Sequence, residues 1–202
     1  PNIVYAGEYL GFLSRYDERT GQAPHVGIYP DNGSGHGAED LRHRFQWTAP
    51  IVISPHDSKQ IYHASNYLQR TNDGGQSWDI ISPDLTRNDK SKQKGAGGPI
   101  TGDHTGVEFY GTICSVAESP LEKGVIWTGS DDGLVHVSRD DGESWKDVTP
   151  FFAPKWATIV ALEASRFDAG TAYVVFDAHR LDDETPYIWK TDNYGQTWNS
   201  IA

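Results

Sequence analysis

The sequence predicts an all-β protein, a β-propeller of four-stranded antiparallel blades, from three observations. A short turn ending in Trp is written three times, as TNDGGQSW (71–78), SRDDGESW (138–145) and TDNYGQTW (191–198). The 202 residues include 21 Gly, 11 Pro, 7 Trp, 10 Tyr and 7 Phe, a mixture that favours short strands joined by tight turns. The segments that precede the three turns also share one pattern.

Each of those segments has a β-branched run, a Ser-containing turn and a second run rich in Ile, Val, Tyr or Trp. They are IVISPHDSKQIYHAS (51–65), ICSVAESPLEKGVIWTGS (113–130) and IVALEASRFDAGTAYVVFD (159–177). For the second copy the predicted strands lie near 112–118, 124–130, 133–139 and 144–149. The stretch LVHVS alternates apolar and polar residues, as a half-buried antiparallel strand does. Repeated four-stranded units of this length are typical of propeller blades.

In chain order the pattern predicts a partial blade, a complete blade, an insertion and two further complete blades. Their ranges are 1–30, 31–85, 86–108, 109–150 and 151–202. The first unit begins at its second strand, because NIVYAGEY followed by GFLSRYDERTGQ matches GVIWTGSD followed by LVHVSRDDGES. Its turn has decayed after Asp17 and has no Trp. The missing innermost strand must come from elsewhere, so we expect a fragment of a longer polypeptide. Four blades that close alone, or two chains that share a ring, are the alternatives.

The residues of the repeated turn have structural roles that follow from their chemistry. Side chains that accept backbone N–H bonds across their own turn are Asp73, Asp140 and Asn193. Residues that adopt positive φ without steric cost are Gly75, Gly142 and Gly195. Rings expected to lie between neighbouring sheets are those of Trp78, Trp145 and Trp198.

The three turns, together with SPHDSKQIYHASNYLQRTNDGGQSWDIISPDLT and SPLEKGVIWTGSDDGLVHVSRDDGESWKDVTP, resemble the Asp-box, or BNR, repeat of sortilin-like (VPS10-like) and sialidase-like propellers. These two segments are similar to segments of large bacterial proteins described as sortilin-N-terminal-domain or BNR-repeat glycosyl-hydrolase-like. The resemblance implies that the turns lie away from the ligand site. It also implies an extracytoplasmic location: secreted, periplasmic or at the cell surface.

Charge and composition exclude several partners. Lys and Arg number 17 against 28 Asp and Glu, a net charge of −11, and such a surface repels phosphate backbones. No apolar run approaches the roughly 20 residues that cross a bilayer, so no membrane insertion is expected. The single Cys114 excludes an internal disulfide framework.

Candidate functional residues are those predicted to surround the propeller mouth opposite the turns. The predicted ligand-binding residues are Arg44, Trp47, Asn66, His104, Glu108, His179 and Arg180. The predicted catalytic carboxylates are Asp131, Asp132 and Asp177, because glycoside hydrolysis needs two carboxylates across a cleft. The simpler interpretation, that these carboxylates belong to ordinary acidic turns such as Asp132-Gly133, is better supported. Aromatic residues placed to stack on sugar rings are Trp47, Tyr67 and Trp156.

No cofactor or metal is expected, because the eight His fall in no paired-ligand spacing and GAGGPITG (95–102) precedes no helix. The insertion TRNDKSKQKGAGGPITGDHTG (86–106) is a basic island on an acidic protein. It is interpreted as a solvated mobile loop, or alternatively as a lid or partner-binding loop.

The favoured function is therefore a propeller binding module that holds a polypeptide or a glycan at its mouth. A secreted glycoside hydrolase with paired carboxylates and a structural segment of a surface assembly are the alternatives. The remaining blades of its own polypeptide, or a second copy, are the expected protein partners, and nucleic acid is not.

Overall fold

The computed structural model describes residues 2–29, 31–105 and 108–202 and confirms the predicted fold class. The sequence forms a series of antiparallel sheets, which we call blades I to IV. Blade I pairs β1 (Ile3–Gly7) with β2 (Leu13–Asp17). A third segment pairs irregularly with β2 through bridges from Ser14 to His25 and from Asp17 to Gln22.

Blades II to IV each have four strands in sequence order, with an insertion between blades II and III. Blade II contains β3 (Ile51–Ile53), β4 (Ile61–Ala64), β5 (Leu68–Thr71) and β6 (Asp79–Ile80). The insertion contains the short hairpin β7 (Ala96–Gly97) and β8 (Gly102–Asp103). Blade III contains β9 (Ile113–Glu118), β10 (Ile126–Ser130), β11 (Val135–Ser138) and β12 (Lys146–Asp147). Blade IV contains β13 (Thr158–Ala164), β14 (Ala172–Asp177), β15 (Tyr187–Thr191) and β16 (Asn199–Ser200).

Helical structure in the described residues is limited to single 3₁₀ turns. These are Tyr9–Gly11, Ala38–Asp40, Lys90–Lys92 and His179–Leu181. None of the described helices is long and apolar enough to cross a membrane.

The apolar core lies between neighbouring blades. Trp127 and Val174 are fully buried where blade III faces blade IV, and Tyr62 and Ile126 are fully buried where blade II faces blade III. Side chains alternate along each strand, so a central blade has to bury both of its faces. Blade III does so against both neighbours, which explains why all five residues of β10 are buried.

The repeated turn joins the third and fourth strands of blades II, III and IV and has the same internal hydrogen bonds each time. In blade II, Thr71 Oγ1 donates to Asp73 Oδ1 over 2.8 Å, and Ser77 N donates to the same oxygen over 3.0 Å. Gly75 N donates to Thr71 Oγ1 over 2.9 Å. These bonds, with the Ser77 hydroxyl leading, lower the pKa of Asp73 to about 2. The carboxylate is therefore ionised, and it fixes the shape of the turn.

Each turn also clamps its blade to the preceding blade. The indole Nε1 donates to a backbone carbonyl there, from Trp78 to Val26 (2.8 Å), from Trp145 to Ile81 (2.8 Å) and from Trp198 to Val148 (2.6 Å). The turn glycines lie against the same three residues. A Cβ at Gly142, where φ is +94°, would lie 2.8 Å from the Ile81 carbonyl oxygen. Glycine is therefore required for the close approach as well as for the turn.

The turn of blade I lacks this hydrogen bond, because it contains no Trp. Its turn is closed by Arg19, whose Nη2 lies 2.8 Å from Asp17 Oδ2 and lowers the pKa of that carboxyl to about 2. No atom lies within 4 Å of a Cβ built on Gly21. This difference follows from the sequence, because the turn of blade I has no Trp and so has no indole N–H to donate to a neighbouring blade.

Candidate ligand-binding groove at the mouth

The end of the sheets opposite the repeated turns is built on buried carboxylates. Asp131, which follows β10, is 2% exposed and accepts hydrogen bonds from Gly111 N, Thr112 N and Thr112 Oγ1, each over 2.9 Å. Burial raises the pKa of Asp131 to about 7 in spite of these donors. The carboxyl thus holds the loop that leads into β9.

Asp132 fastens the start of the insertion to blade III. Its Oδ1 accepts from Ser130 Oγ over 2.6 Å, its Oδ2 accepts from Arg87 N over 2.8 Å, and its carbonyl accepts from Arg87 Nε over 2.7 Å. Burial raises its pKa. Asp132 and Asp131 are thus both buried and engaged, so a catalytic role for either would need substrate to reach an occupied carboxylate.

Two predicted ligand-binding residues belong to a second buried network. Arg44 is 4% exposed, and its guanidinium donates to Gly111 O, Asp84 Oδ2 and Thr86 Oγ1 over 3.0, 2.8 and 3.1 Å. Asn66 accepts from Arg44 N over 3.0 Å and donates to Asp84 Oδ2 over 2.9 Å. Their polar atoms thus join blade II to the loop before blade III, and their predicted contact with ligand stays a prediction.

An aromatic pair lies in front of these networks. Tyr110 and Trp156 stack with ring centroids 5.8 Å apart and an interplanar angle of 24°, and Tyr110 Oη donates to the Trp156 carbonyl over 2.6 Å. Trp156 has φ +67°, a conformation that costs a bulky residue about 1 kcal/mol or more. The Tyr110 bond helps to hold this strained backbone, and the indole that it carries is half-buried.

Cations surround the indole. Arg87 Cζ lies 5.1 Å and Lys92 Nζ 4.9 Å from the centroid of the Trp156 ring. Both distances are within the range of cation–π attraction. The start of the insertion, residues 87–93, thus lies against the mouth, whereas residues 94–103 are exposed. Its Gln93 is 2% exposed, and the Gln93 carbonyl accepts from Glu39 N over 3.0 Å.

The pair forms the wall of a groove of about 400 Å³. The groove is lined by Lys92, Tyr110, Trp156, Thr158, Asp177, Arg180 and Leu181. Asp177 and Arg180, from the predicted catalytic and ligand-binding sets, therefore meet here. Asp177 accepts from His179 N over 2.9 Å and lies 2.7 Å from His179 Nδ1, and these bonds lower its pKa.

A second cavity, of about 140 Å³, adjoins the groove and shares Lys92 and Tyr110 with it. The predicted ligand-binding residues His104 and Glu108 line this cavity together with Lys94 and Asp103 of the insertion. The two cavities are thus separated by the side chains of Lys92 and Tyr110, which line both of them.

The structure places the other predicted aromatic residues elsewhere. Trp47 is 48% exposed and packs edge-on against Tyr9, with ring centroids 4.6 Å apart. Tyr67 packs edge-on against the buried His43. Neither is among the residues that line the groove at Trp156. Tyr110 was missed by the sequence reasoning, although its position just before a predicted innermost strand was an available signal.

Metal-binding chemistry finds no support in the part of the chain that the structure describes, where no group of three or more His, Cys, Asp or Glu side chains could hold an ion. Cys114 is a free thiol, and burial raises its pKa to about 12. At neutral pH this thiol is therefore neither a nucleophile nor a ligand.

Comparison with known proteins gives matches in structure alone. No protein family and no curated protein matches the sequence. Among solved structures, the GH74 xyloglucanase of Xanthomonas campestris matches with a TM-score of 0.62 and 18% identity over 99% of this chain and 28% of that chain. An ancestral GH74 enzyme matches with a TM-score of 0.59 and 18% identity over 100% of this chain and 22% of that chain. The GH74 enzyme of Niastella koreensis matches with a TM-score of 0.58 and 15% identity over 99% and 28%.

These matches show the propeller fold at low identity. The chain spans less than a third of the length of each of these proteins.

Proposed function

We propose that this chain forms part of the mouth of a carbohydrate-binding propeller, with the ligand lying on Trp156. The observation that carries the proposal is the strained, half-buried indole, which stacks on Tyr110 and has Arg87 and Lys92 within cation–π distance. A flat aromatic face offers a large contact area at a low entropic cost, and it suits the apolar face of a sugar ring. Polar groups at the edge of such a surface then fix the ligand's orientation.

The hydrogen-bonding groups of the groove support this choice. Thr158, Asp177 and Arg180 lie along the same wall and offer both donors and acceptors, which sugar hydroxyls require. The fold neighbours described as a xyloglucanase and GH74 enzymes agree with a glycan-related role, and they do so by analogy of fold alone.

The repeated turn supports a finer assignment that belongs to the same proposal. Three turns with one hydrogen-bond pattern favour membership of the Asp-box propellers. An extracytoplasmic location follows from that membership and is part of the proposal.

Glycoside hydrolysis is the second candidate, and one observation favours it. Burial raises the pKa of Asp131 to about 7, while hydrogen bonds lower the pKa of Asp177. Carboxyls whose pKa values are pushed apart are typical of an acid and its partner base, and hydrolysis would require the substrate to reach Asp131, which is 2% exposed. Release of reducing ends from a polysaccharide that stops in both Asp131→Asn and Asp177→Asn, with binding retained, would support hydrolysis over binding alone.

The test of binding uses calorimetric titration of the chain with soluble xyloglucan, mixed-linkage β-glucan and polygalacturonate. We expect one of these to bind and Trp156→Ala to weaken its binding at least about tenfold, because the stacking surface is lost. Tyr110→Phe should weaken it less, because the ring stays and only the bond to the Trp156 carbonyl is lost. The matched control is Phe167→Ala, which removes an aromatic side chain that is 94% exposed on the turn before β14.

The proposal is wrong if Trp156→Ala binds as tightly as the parent. It is also wrong if the parent binds none of the polysaccharides. An extended peptide library is titrated in parallel, and binding there alone would reassign the groove to a polypeptide ligand.

A further inference from the structure

The groove at Trp156 carries more positive than negative charge, although the chain as a whole is acidic. The chain has 17 Lys and Arg against 28 Asp and Glu, a net charge of −11. The charged residues that line the groove are two cations, Lys92 and Arg180, and one carboxylate, Asp177. A third cation, Arg87, lies within cation–π distance of Trp156. Because the Debye length is about 8 Å at physiological salt, a ligand in the groove responds to this local balance more than to the net charge.

The two cations of the groove have no carboxylate partner of their own. Among the described residues, neither Lys92 nor Arg180 has a carboxylate within salt-bridge distance. Both side chains are exposed, so a ligand can reach them. The Lys92 ammonium lies 4.9 Å from the centroid of the Trp156 ring. An aromatic ring attracts a cation without neutralising its charge, so this positive charge remains for a ligand.

The carboxyls behind the groove offset little of this charge. Burial raises the pKa of Asp131 to about 7, so at neutral pH this carboxyl is only partly ionised. Burial also raises the pKa of Asp132. Both carboxyls accept hydrogen bonds inside the protein and are almost fully buried, so they present no negative surface to a ligand.

Asp177 limits the kind of anion that suits the groove. Its carboxylate accepts from His179 N, and its pKa is lowered, so it is ionised at neutral pH. It therefore repels a ligand that carries negative charge alone. It can, however, accept hydrogen bonds from hydroxyl groups. A ligand that carries several hydroxyls and one carboxylate on each ring would use the cations and Asp177 together.

We propose that the groove recognises a uronic acid unit of an acidic polysaccharide. This inference rests on the proposed function, since it names the class of glycan that lies on Trp156. The uronate carboxylate pairs with Arg180, whose planar guanidinium suits a carboxylate, and with Lys92, which acts as a point charge. The sugar hydroxyls are then left for Asp177 and Thr158. A neutral glycan offers these two cations no negative partner.

The test compares two oligosaccharides of the same length and linkage by calorimetric titration. One is an oligogalacturonate, and the other is the same oligomer with its carboxyl groups reduced to primary alcohols. We expect the reduced oligomer to bind at least about tenfold more weakly, because the charge-assisted hydrogen bonds to the carboxylate are lost.

Variants that remove one charge locate the contact. Arg180→Gln and Lys92→Gln should each weaken binding of the oligogalacturonate about threefold to tenfold, and they should weaken binding of the reduced oligomer less. The matched control is Lys155→Gln, which removes an exposed cation that is next to Trp156 in sequence but does not line the groove. This control should leave both affinities unchanged.

The inference is wrong, and the proposed function stands, if the reduced oligomer binds as tightly as the oligogalacturonate and Trp156→Ala weakens both. The same holds if the chain binds xyloglucan but not the oligogalacturonate. Equal weakening by Lys155→Gln and Arg180→Gln would also overturn the inference, as would an oligo-aspartate of equal charge that binds as tightly as the oligogalacturonate. If no glycan binds, or if Trp156→Ala leaves the binding unchanged, the proposed function itself is wrong and this inference fails with it.

Discussion

The two ends of the same sheets differ in how strictly they repeat. At the turn end, three indoles donate to equivalent carbonyls over 2.8, 2.8 and 2.6 Å, within one set of internal hydrogen bonds. At the mouth, the loops between second and third strands differ in length and in most of their residues. One is a short turn at 65–67, one buries two aspartates at 131–132, and one is the long loop at 178–186.

This difference indicates that the turn end of the sheets holds the blades together, whereas the mouth end is the part that can recognise a ligand. A contact that must recur at each interface is limited to the same residues each time, because the strand spacing and the inter-sheet distance are the same. A loop beyond the strand ends meets no such limit and is free to vary. The regular end is therefore where substitutions should affect stability most, and the irregular end is where they should affect binding.

Removing one clamp should have the largest effect. Trp145→Ala removes the indole that packs between blades II and III and donates to Ile81 O. We expect the free energy of unfolding to fall by about 3 kcal/mol, the lower end of the range for Trp→Ala in a core, because Trp145 is partly buried. Urea denaturation measures it, with Trp156→Ala as the matched mouth variant and an expected loss of about 1 kcal/mol. Equal losses of unfolding free energy in Trp145→Ala and Trp156→Ala would contradict the idea that the turn end determines stability and the mouth does not.

An intermediate effect on stability is expected at Asp131, a carboxyl at the mouth that holds the loop leading into β9. Burial raises the folded-state pKa of Asp131 to about 7, above its usual 3.8, so the folded chain binds the proton more tightly than the unfolded chain. The stability that Asp131 contributes is therefore fully present below about pH 4 and is lost as pH rises through about 7. Asn can accept from Gly111 N and Thr112 N and donate to Thr112 Oγ1 without titrating.

Asp131→Asn should therefore flatten the pH dependence of stability between pH 4 and 8 and leave the variant more stable than the parent at pH 8, by about 1 kcal/mol. Urea midpoints at pH 5 and pH 8 measure this, with Asp192→Asn on an exposed turn as the control. If the stability of Asp131→Asn changed with pH in the same way as that of the parent, the pKa of Asp131 would not be raised by burial.

The smallest effect concerns the part of the turn end that does vary. Position 141 is Asp in blade III, and Gly74 and Tyr194 stand at the equivalent places. The Asp141 side chain is 45% exposed in its pair with Arg70, so the coupling should be no more than about 1 kcal/mol. A double-mutant cycle with Arg70→Gln and Asp141→Asn measures it, since Asn also tolerates positive φ. A larger coupling energy would mean that the Arg70–Asp141 pair holds blade III to blade II as the turn indoles do.

The sequence predicted the regular end well because its signals are local. Asp73, Gly75 and Trp78 lie within six residues of one another, and each has a physical reason for its place in the turn. The partner carbonyls were not predictable, because Val26 and Ile81 accept through their backbones and carry no side-chain signal.

The mouth was predicted less completely, for the same physical reason. Arg44 was predicted in a loop that leads into a sheet and Asp131 in a turn between second and third strands, but the sequence did not show that their polar atoms are used inside the protein. Tyr110 and the insertion residue Lys92 meet Trp156 only through tertiary contacts, which residue spacing does not encode. The position of residues 87–93 against the mouth was likewise unpredictable from the Gly- and Lys-rich composition of the insertion.

The clamps also give the chain a direction. Each of the three turn indoles donates to a carbonyl of the preceding blade, so the acceptor has already been synthesised when the indole leaves the ribosome. Domains tend to fold from the N-terminus during synthesis. Here each newly made blade can be captured by the one before it, which limits how long an uncovered sheet face waits for a partner. The order of translation thus becomes the order of assembly.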